Sequence, residues 1–232
     1  MQATTARSHA VAFTRFPSAL LADHEEDGND LAAFDTIGTV VSLRRDAALF
    51  REGEAARYCF KVLTGAVRSC KLLADGRRHI GEFLLPGDFI AVEAADTYRF
   101  TVEAVTDATV MRYPRAALDR LVQQRPQLGK SLLGLVCGGL SAAQSHMLLL
   151  GRKNAVERLA TFLLMMAARN GAADRVSLPM TRGDIADYLG LTTETVSRIF
   201  SQFKTQGVIQ IRASSEVVLR SRDTLEDLAD AA

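Results

Sequence analysis

The chain has 232 residues, of which 48% are hydrophobic and 24% are charged, with a formal net charge of +1. This size and composition are typical of a soluble globular protein with one or two domains, and they exclude an intrinsically disordered or collagen-like chain. No uninterrupted apolar run reaches about 18 residues, and the first thirty residues lack the apolar core of a secretory signal. We therefore expect a cytoplasmic protein with no membrane partner.

The cysteines and histidines argue against a metal or disulfide framework. Cys59, Cys70 and Cys137 are widely spaced, form no CxxC pair and have no histidine at metal-ligand spacing. We expect buried structural thiols, no bound metal and no cofactor. A Gly-rich phosphate loop, a nucleophile–base pair and a metal triad are also missing from the sequence, so an enzyme is not expected.

The charges are unevenly distributed along the chain. Residues 1–150 carry 17 Lys and Arg against 17 Asp and Glu, whereas residues 151–222 carry 11 against 6, a net of +5. The last ten residues carry four acids and no Lys or Arg. A basic excess confined to one segment is typical of a nucleic-acid-binding region, although such an excess also occurs on solvated surfaces.

The first half of the chain reads as an N-terminal arm followed by a β domain. Residues 1–34 are of mixed composition and include the acidic run 24–30. Short segments rich in Val, Ile, Phe and Leu then recur at about ten-residue spacing, as in an all-β sandwich or barrel. They are 39–43, 58–63, 66–73, 79–85, 100–105 and 109–113. Asp75-Gly76 predicts a hairpin. We place the β domain at residues 35–126.

A long apolar segment follows Pro114, which is suited to the first position of a helix, and Pro126 is expected to split it. The main helix is predicted from Gln127 to Leu150, within a dimerisation segment at residues 127–151. It carries two apolar stripes. We assign the regular 3-4 stripe to a coiled coil with a second copy: Leu128, Leu132, Leu135, Gly139, Ala142, His146 and Leu149. The other stripe is Leu133, Val136, Leu140, Ala143, Met147 and Leu150. A helix buried within one subunit is the alternative.

Residues 152–232 predict a winged helix-turn-helix. After a helix at about 154–170, Thr181 is expected to cap a short helix, with Asp184 completing a capping box. Gly190 ends that helix, and Thr192 caps the next one, which continues to about Gln206. Two alternating segments, Val208–Arg212 and Glu216–Leu219, then predict a two-stranded wing. A helix, a short Gly-containing turn and a second helix form the layout of this DNA-binding motif.

The second of these helices has one apolar and one polar face. Val196, Ile199, Phe200 and Phe203 recur at i, i+3, i+4 and i+7. The opposite face has the chemistry to read bases in the major groove, since Arg donates to guanine and Glu accepts from cytosine. Its candidate base-reading residues are Thr193, Glu194, Ser197 and Arg198. A solvated Glu–Arg pair one turn apart is the alternative interpretation.

Further residues are candidates for contacts with the DNA backbone, because hydroxyls, helix N-termini and basic side chains bind phosphates. They are Thr181, Arg182, Thr192, Thr195, Ser201, Lys204 and Arg212. Arg220 and Arg222 are weaker candidates of the same kind, since single basic residues are commonly solvated surface charges.

The stretch TRGDIADYLGLTTETVSRIFSQFKTQG, Thr181–Gly207, resembles the CRP/FNR superfamily of bacterial transcription regulators, and the similarity covers roughly residues 35–222. The spacing of Glu194, Ser197 and Arg198 resembles the FNR and FixK branch. The resemblance implies an α+β fold: an N-terminal β-roll, a long dimerisation helix and a C-terminal winged helix-turn-helix. It also implies a homodimer that binds a palindrome like TTGAT-N4-ATCAA and acts with RNA polymerase, with Arg198 on the guanine and Glu194 on the opposite strand.

The effector region departs from several branches of the family. Phe83–Ile90 is similar to the turn that leads into the effector pocket, but Ala91-Val92 replaces the Gly-Glu of cyclic-nucleotide binders and Tyr98 lies near their phosphate-binding Arg. Residues 1–58 contain no cysteine for an FNR-type cluster. The FixK type, without a cofactor, is the leading interpretation. A ligand- or haem-gated regulator, with His79 or His146 as axial ligand, is the alternative.

Overall fold

The computed structural model describes residues 33–92, 95–171 and 174–230. The predicted N-terminal arm falls almost entirely on residues 1–32, which lie outside this range. After a 3-10 helix at Ala33–Ile37, short strands follow one another to residue 114. They are β1 (Thr39–Leu43), β2 (Ala48–Phe50), β3 (Tyr58–Thr64), β4 (Val67–Leu72), β5 (Arg78–Leu84), β6 (Phe89–Ile90), β7 (Thr101–Ala104) and β8 (Ala108–Pro114). The predicted β domain is confirmed. No alternating pattern had indicated β2 and β6, because they are only three and two residues long.

The strands form two antiparallel four-stranded sheets, with orders β1-β8-β3-β6 and β2-β7-β4-β5. Apolar side chains from both sheets share one core, in which Phe60 and Val110 of the first sheet meet Val67 and Val102 of the second. The predicted hairpin joins β4 to β5, where Gly76 has φ +84°. Glycine suits this left-handed conformation because it has no Cβ to clash.

Two helices follow the β-roll, α1 (Arg115–Gln124) and α2 (Pro126–Arg152). Pro126 separates them as predicted and occupies the start of α2, where its missing N–H has no helical partner to lose. Pro114 is the N-cap of α1 rather than its first helical residue. The long helix is two residues longer at its C-terminal end than the sequence indicated.

The C-terminal domain contains the predicted helix-turn-helix and wing. Its elements are α3 (Ala155–Arg169), β9 (Arg175–Ser177), α4 (Arg182–Leu189), α5 (Thr193–Thr205), β10 (Ile209–Ala213), β11 (Glu216–Leu219) and α6 (Arg222–Ala229). The wing strands pair with β9 in a three-stranded antiparallel sheet of order β10-β11-β9. The sequence did not predict β9, which is only three residues long, or α6, which begins at Arg222.

The stripe of α2 that we predicted to form the dimer packs inside the subunit instead. Leu128 and Leu135 are buried against Tyr113 of β8 and Leu118 of α1. Leu149 is buried in the core of the C-terminal domain. The assignment of these three residues to an intersubunit seam was wrong, because their own subunit already covers them. The other members, Leu132, Gly139, Ala142 and His146, are half-buried.

The second stripe of α2 is the one that faces solvent. Leu133, Leu140 and Met147 are 62%, 60% and 72% exposed, and Val136 and Ala143 are exposed with them. We call these five residues the exposed stripe. The helix is therefore apolar on two sides, as predicted, but the side covered within the subunit is the one that we assigned to the partner, and the other side is exposed.

By length and composition alone, α2 passes as a helix long enough to cross a membrane, with a mean hydropathy of 1.4 over 18 residues. This is weak evidence for a span, because long helices of soluble proteins have the same property. One side of α2 packs on two domains of its own subunit, which accounts for part of its apolar character.

Candidate nucleic-acid interface

The first helix of the motif begins and ends as the sequence indicated. The Thr181 Oγ1 accepts a hydrogen bond from the Asp184 backbone N at 3.1 Å, and the Asp184 carboxylate accepts one from the Thr181 backbone N at 3.0 Å. This capping box satisfies donors that the first turn leaves without partners. Gly190 ends the helix with φ +63°. The turn to α5 is consequently short and fixed at both ends.

The recognition helix α5 is anchored by its apolar face. Val196, Ile199, Phe200 and Phe203 are all buried in the core of the C-terminal domain. At the N-terminus, the Thr192 Oγ1 accepts from the Thr195 backbone N at 3.2 Å. The predicted cap and apolar face are both confirmed. Together they fix the axial rotation of the helix, so that the opposite face points away from the domain.

The four candidate base-reading residues share that outward face. Thr193, Glu194, Ser197 and Arg198 are all exposed. Hydrogen bonds from the Glu194 backbone N–H and from the Thr192 hydroxyl to the Glu194 carboxylate hold the pKa of Glu194 below its ordinary value. The carboxylate is therefore an ionised acceptor at neutral pH. Within the described residues, Glu194 and Arg198 do not form an ion pair with each other. Both side chains therefore project without being paired to each other.

The candidate phosphate-contacting hydroxyls are partly engaged in local bonds. Thr192 and Thr195 lie Oγ1 to Oγ1 at 3.1 Å, and Ser201 donates to the Ser197 carbonyl at 3.0 Å. Thr181 bonds to Asp184 through its hydroxyl. Phosphate oxygens accept hydrogen bonds, so each of these hydroxyls must turn its proton away from its present partner to donate to one.

The candidate basic residues differ in placement. Lys204 and Arg212 are exposed at the end of α5 and on the wing. Arg182 is instead half-buried, with its guanidinium 3.2 Å from the centre of the Phe200 ring, and burial lowers its pKa to about 10. The other two are held by neighbours, since Arg220 donates to Gln210 and Arg222 pairs with Glu226.

The cysteines only partly follow expectation. Cys59 and Cys70 are buried, and burial raises the pKa of the Cys59 thiol to about 11. Burial likewise raises the pKa of Cys70. Cys137 is exposed, so the prediction of a buried thiol was wrong there. The reason is its position on α2 next to Val136, on the side of the exposed stripe.

A cavity of about 780 Å³ lies between the β-roll and α2. Its wall is largely apolar, with a few titratable side chains that include Glu82, Arg99 and His79. Ala91 borders the cavity and has φ +56°, a left-handed backbone conformation that glycine adopts more readily than alanine. Tyr98 is buried, stacks on Phe50 and donates its hydroxyl proton to the Tyr58 carbonyl. These residues do not fit a cyclic nucleotide phosphate, because the side chain near the phosphate-binding position is turned into the core.

The two histidines on the cavity wall stack with ring centres 6.3 Å apart. The His146 Nε2 lies 2.9 Å from the Tyr188 carbonyl oxygen. Burial lowers the pKa of His146. The Nε2 of His146 is therefore occupied by a backbone carbonyl in this arrangement and is not free to ligate a haem iron.

Known protein families match both domains of the chain. Residues 157–228 match the family model of the Crp-like helix-turn-helix domain, and residues 40–125 match that of the cyclic nucleotide-binding domain. The chain is 40% identical to the nitrogen fixation regulation protein FixK of Azorhizobium caulinodans over 209 residues, which are 88% of this chain and 84% of that protein.

Two further relatives agree. The transcriptional activator protein FnrL of Cereibacter sphaeroides is 34% identical over 201 residues, which are 83% of this chain and 81% of that protein. The solved structure of FixK2 from Bradyrhizobium japonicum is 46% identical, covers 84% of this chain and 99% of its own, and superposes with a TM-score of 0.81. With its β-roll, long helix and winged helix-turn-helix, the chain is a DNA-binding transcription regulator that belongs to the CRP/FNR superfamily, in the FixK-like branch.

Proposed function

We propose that the chain activates transcription as a homodimer that reads a palindrome like TTGAT-N4-ATCAA in the cytoplasm. The observation that carries this proposal is the exposed face of α5, on which Glu194, Ser197 and Arg198 project together while the opposite face anchors the helix. A recognition helix presents its N-terminal residues to base edges in the major groove.

The chemistry of each residue fits one part of the half-site. The Arg198 guanidinium can donate two hydrogen bonds to the O6 and N7 of guanine, and the ionised Glu194 can accept from the N4 amine of cytosine. Ser197 and Thr193 are small enough to let the helix approach, and the Thr methyl can contact a thymine methyl. The face is therefore suited to one G·C pair flanked by A·T pairs.

Contacts with the backbone complete the interface. Lys204 and Arg212 are exposed cations at the end of α5 and on the wing. Hydroxyls at the helix N-termini, Thr181, Thr192 and Thr195, with Ser201 further along α5, would donate to phosphates after they leave their local partners. Arg182 is a weaker candidate, because it must leave the ring of Phe200 to do so.

A palindromic site requires a two-fold protein, and the exposed stripe of α2 supplies a surface for a second copy. Contiguous apolar side chains on a soluble protein favour burial, and the 3-4 spacing of these residues suits helix pairing. We infer that parallel pairing along α2 would put the two recognition helices on one face of the dimer. RNA polymerase is the further partner that the activator relatives imply.

The proposal includes activity without a bound cofactor, with the level of the protein setting its output. A ligand-gated regulator is the second candidate, and the cavity between the β-roll and α2 is the observation in its favour. A bound apolar ligand there would change the contacts of α2.

The test is binding of purified, untreated protein to a TTGAT-N4-ATCAA duplex in air, measured by fluorescence anisotropy against a duplex with scrambled half-sites. We expect a preference of about a thousandfold or more at physiological salt. An absorbance spectrum of the same sample separates the candidates. Specific binding with no absorbance beyond 300 nm supports the cofactor-free activator, whereas a Soret band, or specific binding only after an effector is added, supports the gated one.

A further inference from the structure

Two arginines of the β-roll hold the first helix of the DNA-binding motif. The Arg78 Nη2 lies 2.6 Å from the Asp184 Oδ1, and its Nε lies 2.9 Å from the Asp187 Oδ2. The Arg68 Nη1 lies 3.2 Å from the same Asp184 oxygen. These bonds join residues more than one hundred positions apart in the chain, across the boundary between the two domains.

Asp184 has two tasks, one for each carboxylate oxygen. Its Oδ2 accepts hydrogen bonds from the Thr181 backbone and hydroxyl and so starts α4, while its Oδ1 accepts from both arginines. Its side chain is only 3% exposed. Burial would raise the pKa of Asp184, but the Thr181 hydrogen bonds and the two guanidinium charges outweigh burial and lower it. The same carboxylate thus fixes the start of the helix and its attachment to the β-roll.

The arginines are themselves oriented by the β-roll. Arg68, whose side chain is 9% exposed, donates to Glu103 at 2.9 Å and to Asp46 at 3.3 Å while it reaches Asp184. A planar guanidinium with several donors in fixed directions transmits orientation in a way that a single ammonium cannot. The position of Asp184 relative to the second sheet is therefore defined in direction as well as in distance.

Apolar contacts lie beside this cluster. Ile80 and Phe83 of β5 are buried in the same core as Ile185 and Leu189 of α4. Apolar contact holds the domains together but is not directional, whereas hydrogen bonds between charged groups have defined geometry. The ionic cluster is consequently the part of the interface that selects one orientation.

We propose that Arg68 and Arg78 are positioning residues for DNA reading, which fix the orientation of the helix-turn-helix on the β-roll and thereby the separation of the two recognition helices in the dimer. This inference rests on the proposed function, because separation matters only when two half-sites are read together. Dimeric helix-turn-helix proteins bind half-sites about one helical turn apart, and that spacing depends on the protein's geometry.

Four variants test the proposal. Arg78→Gln keeps a neutral donor near Asp184, and Asp187→Asn removes only the more exposed pair. Arg68→Lys keeps the charge but loses the fork of donors. Arg77→Gln is the matched control, because Arg77 is the neighbouring residue on the same hairpin and pairs with Asp75 alone among the described ion pairs. Thermal melting identifies any variant that fails to fold, and Asp187→Asn is the change expected to perturb folding least.

The first measurement needs no DNA. Spin labels at Glu54→Cys and Thr205→Cys, in a Cys137→Ser background, report the distance between the β-roll and the end of α5; excess unlabelled protein isolates distances within one chain. We expect one narrow distance distribution for the parent and Arg77→Gln, a clearly broadened one for Arg78→Gln and Asp187→Asn, and a smaller broadening for Arg68→Lys. Folded variants that all keep the narrow distribution would overturn the proposal.

The second measurement uses duplexes with half-site spacers of three, four and five base pairs, together with a duplex that has one half-site. We expect Arg78→Gln to lose most of a roughly tenfold preference for four base pairs, with single half-site affinity kept within about twofold. Equal loss on every duplex, or an unchanged spacer preference, would contradict positioning. If the unmutated protein prefers no palindrome, the proposed function fails, and the label distances still decide whether the arginines fix the orientation.

Discussion

The imidazole Nε2 of His146 lies 2.9 Å from the backbone carbonyl oxygen of Tyr188, and the two rings stack with centres 4.1 Å apart. His146 is on the long helix α2, and Tyr188 is on the first helix of the DNA-binding motif. The contact therefore joins the long helix to the DNA-binding domain of the same subunit. It also places a titratable group at their junction.

This junction predicts an acid-sensitive stability. Burial lowers the pKa of His146, so near pH 6 the unfolded chain binds more protons at this residue than the folded one. The free energy of unfolding should consequently fall as the pH drops through about 6.5, the ordinary histidine value. Urea unfolding between pH 8 and pH 5.5 measures this slope.

The variant His146→Phe keeps a ring on Tyr188 but does not titrate. At pH 8 the variant should be less stable than the parent, because it lacks the hydrogen bond between His146 Nε2 and the Tyr188 carbonyl. Its free energy of unfolding should also depend less on pH than that of the parent. An unchanged slope in the variant would show that another group is responsible.

The exposed stripe predicts a dimer that a single charge disrupts. Leu140→Glu places a carboxylate in the middle of the surface that a second copy would cover, and burial of an unpaired charge is costly. Sedimentation velocity at micromolar concentration should show a dimer for the parent and a monomer for this variant. Val40→Glu is the matched control, because Val40 is an apolar residue of similar exposure, 55%, that lies on β1 and not on α2.

The other stripe should give the opposite result. Leu135→Ala removes a side chain that is 7% exposed within the subunit, so it should reduce the free energy of unfolding by about 2–5 kcal/mol and leave a dimer. A Leu140→Glu protein that stays dimeric, or a Leu135→Ala protein that is stable but monomeric, would restore the original assignment of the stripes.

The two stripes of α2 show the limit of prediction from the sequence, because the one that we assigned to the partner is covered within the subunit and the other is exposed. Periodicity identified two apolar faces on α2, but which face meets the partner depends on how the β-roll and the C-terminal domain fold back onto the helix. The capping box of Thr181 and the outward face of α5 were predictable because their signals lie within a few residues. The contact of Arg78 with Asp184 was not, since it joins positions 106 residues apart. The sequence predicted that Asp184 caps α4, but it did not predict that the same carboxylate binds Arg68 and Arg78.

The thiols should differ sharply in reactivity. Cys137 is exposed, whereas Cys59 and Cys70 are buried with pKa values that burial raises, so little reactive thiolate forms at either. Iodoacetamide at pH 8 followed by mass spectrometry should modify Cys137 alone in the native protein. If the second copy covers this side of α2, Cys137 should react faster in Leu140→Glu than in the parent. Equal modification of all three cysteines would contradict the burial of the other two.

The exposed cations predict how binding depends on salt. Lys204 and Arg212 are proposed to contact phosphates, and each such contact contributes about 0.9 to the slope of log affinity against log salt. In a dimer, the Lys204→Gln and Arg212→Gln double variant removes up to four contacts, so the slope should decrease by about 3–4. Affinity should fall alike for specific and scrambled duplexes. A loss confined to the specific duplex would instead give these residues a role in base reading.

Arg198 is proposed to read the guanine of each half-site. Its most direct test is a double-mutant cycle that combines Arg198→Ala with replacement of the G·C pair by A·T in both half-sites, with anisotropy as the readout. We predict that each single change costs about 1–3 kcal/mol per half-site and that, once Arg198 is absent, the base change costs only what the Glu194 contact with the cytosine of the same pair contributes. Additive losses, with the arginine and the guanine contributing independently, would contradict the account.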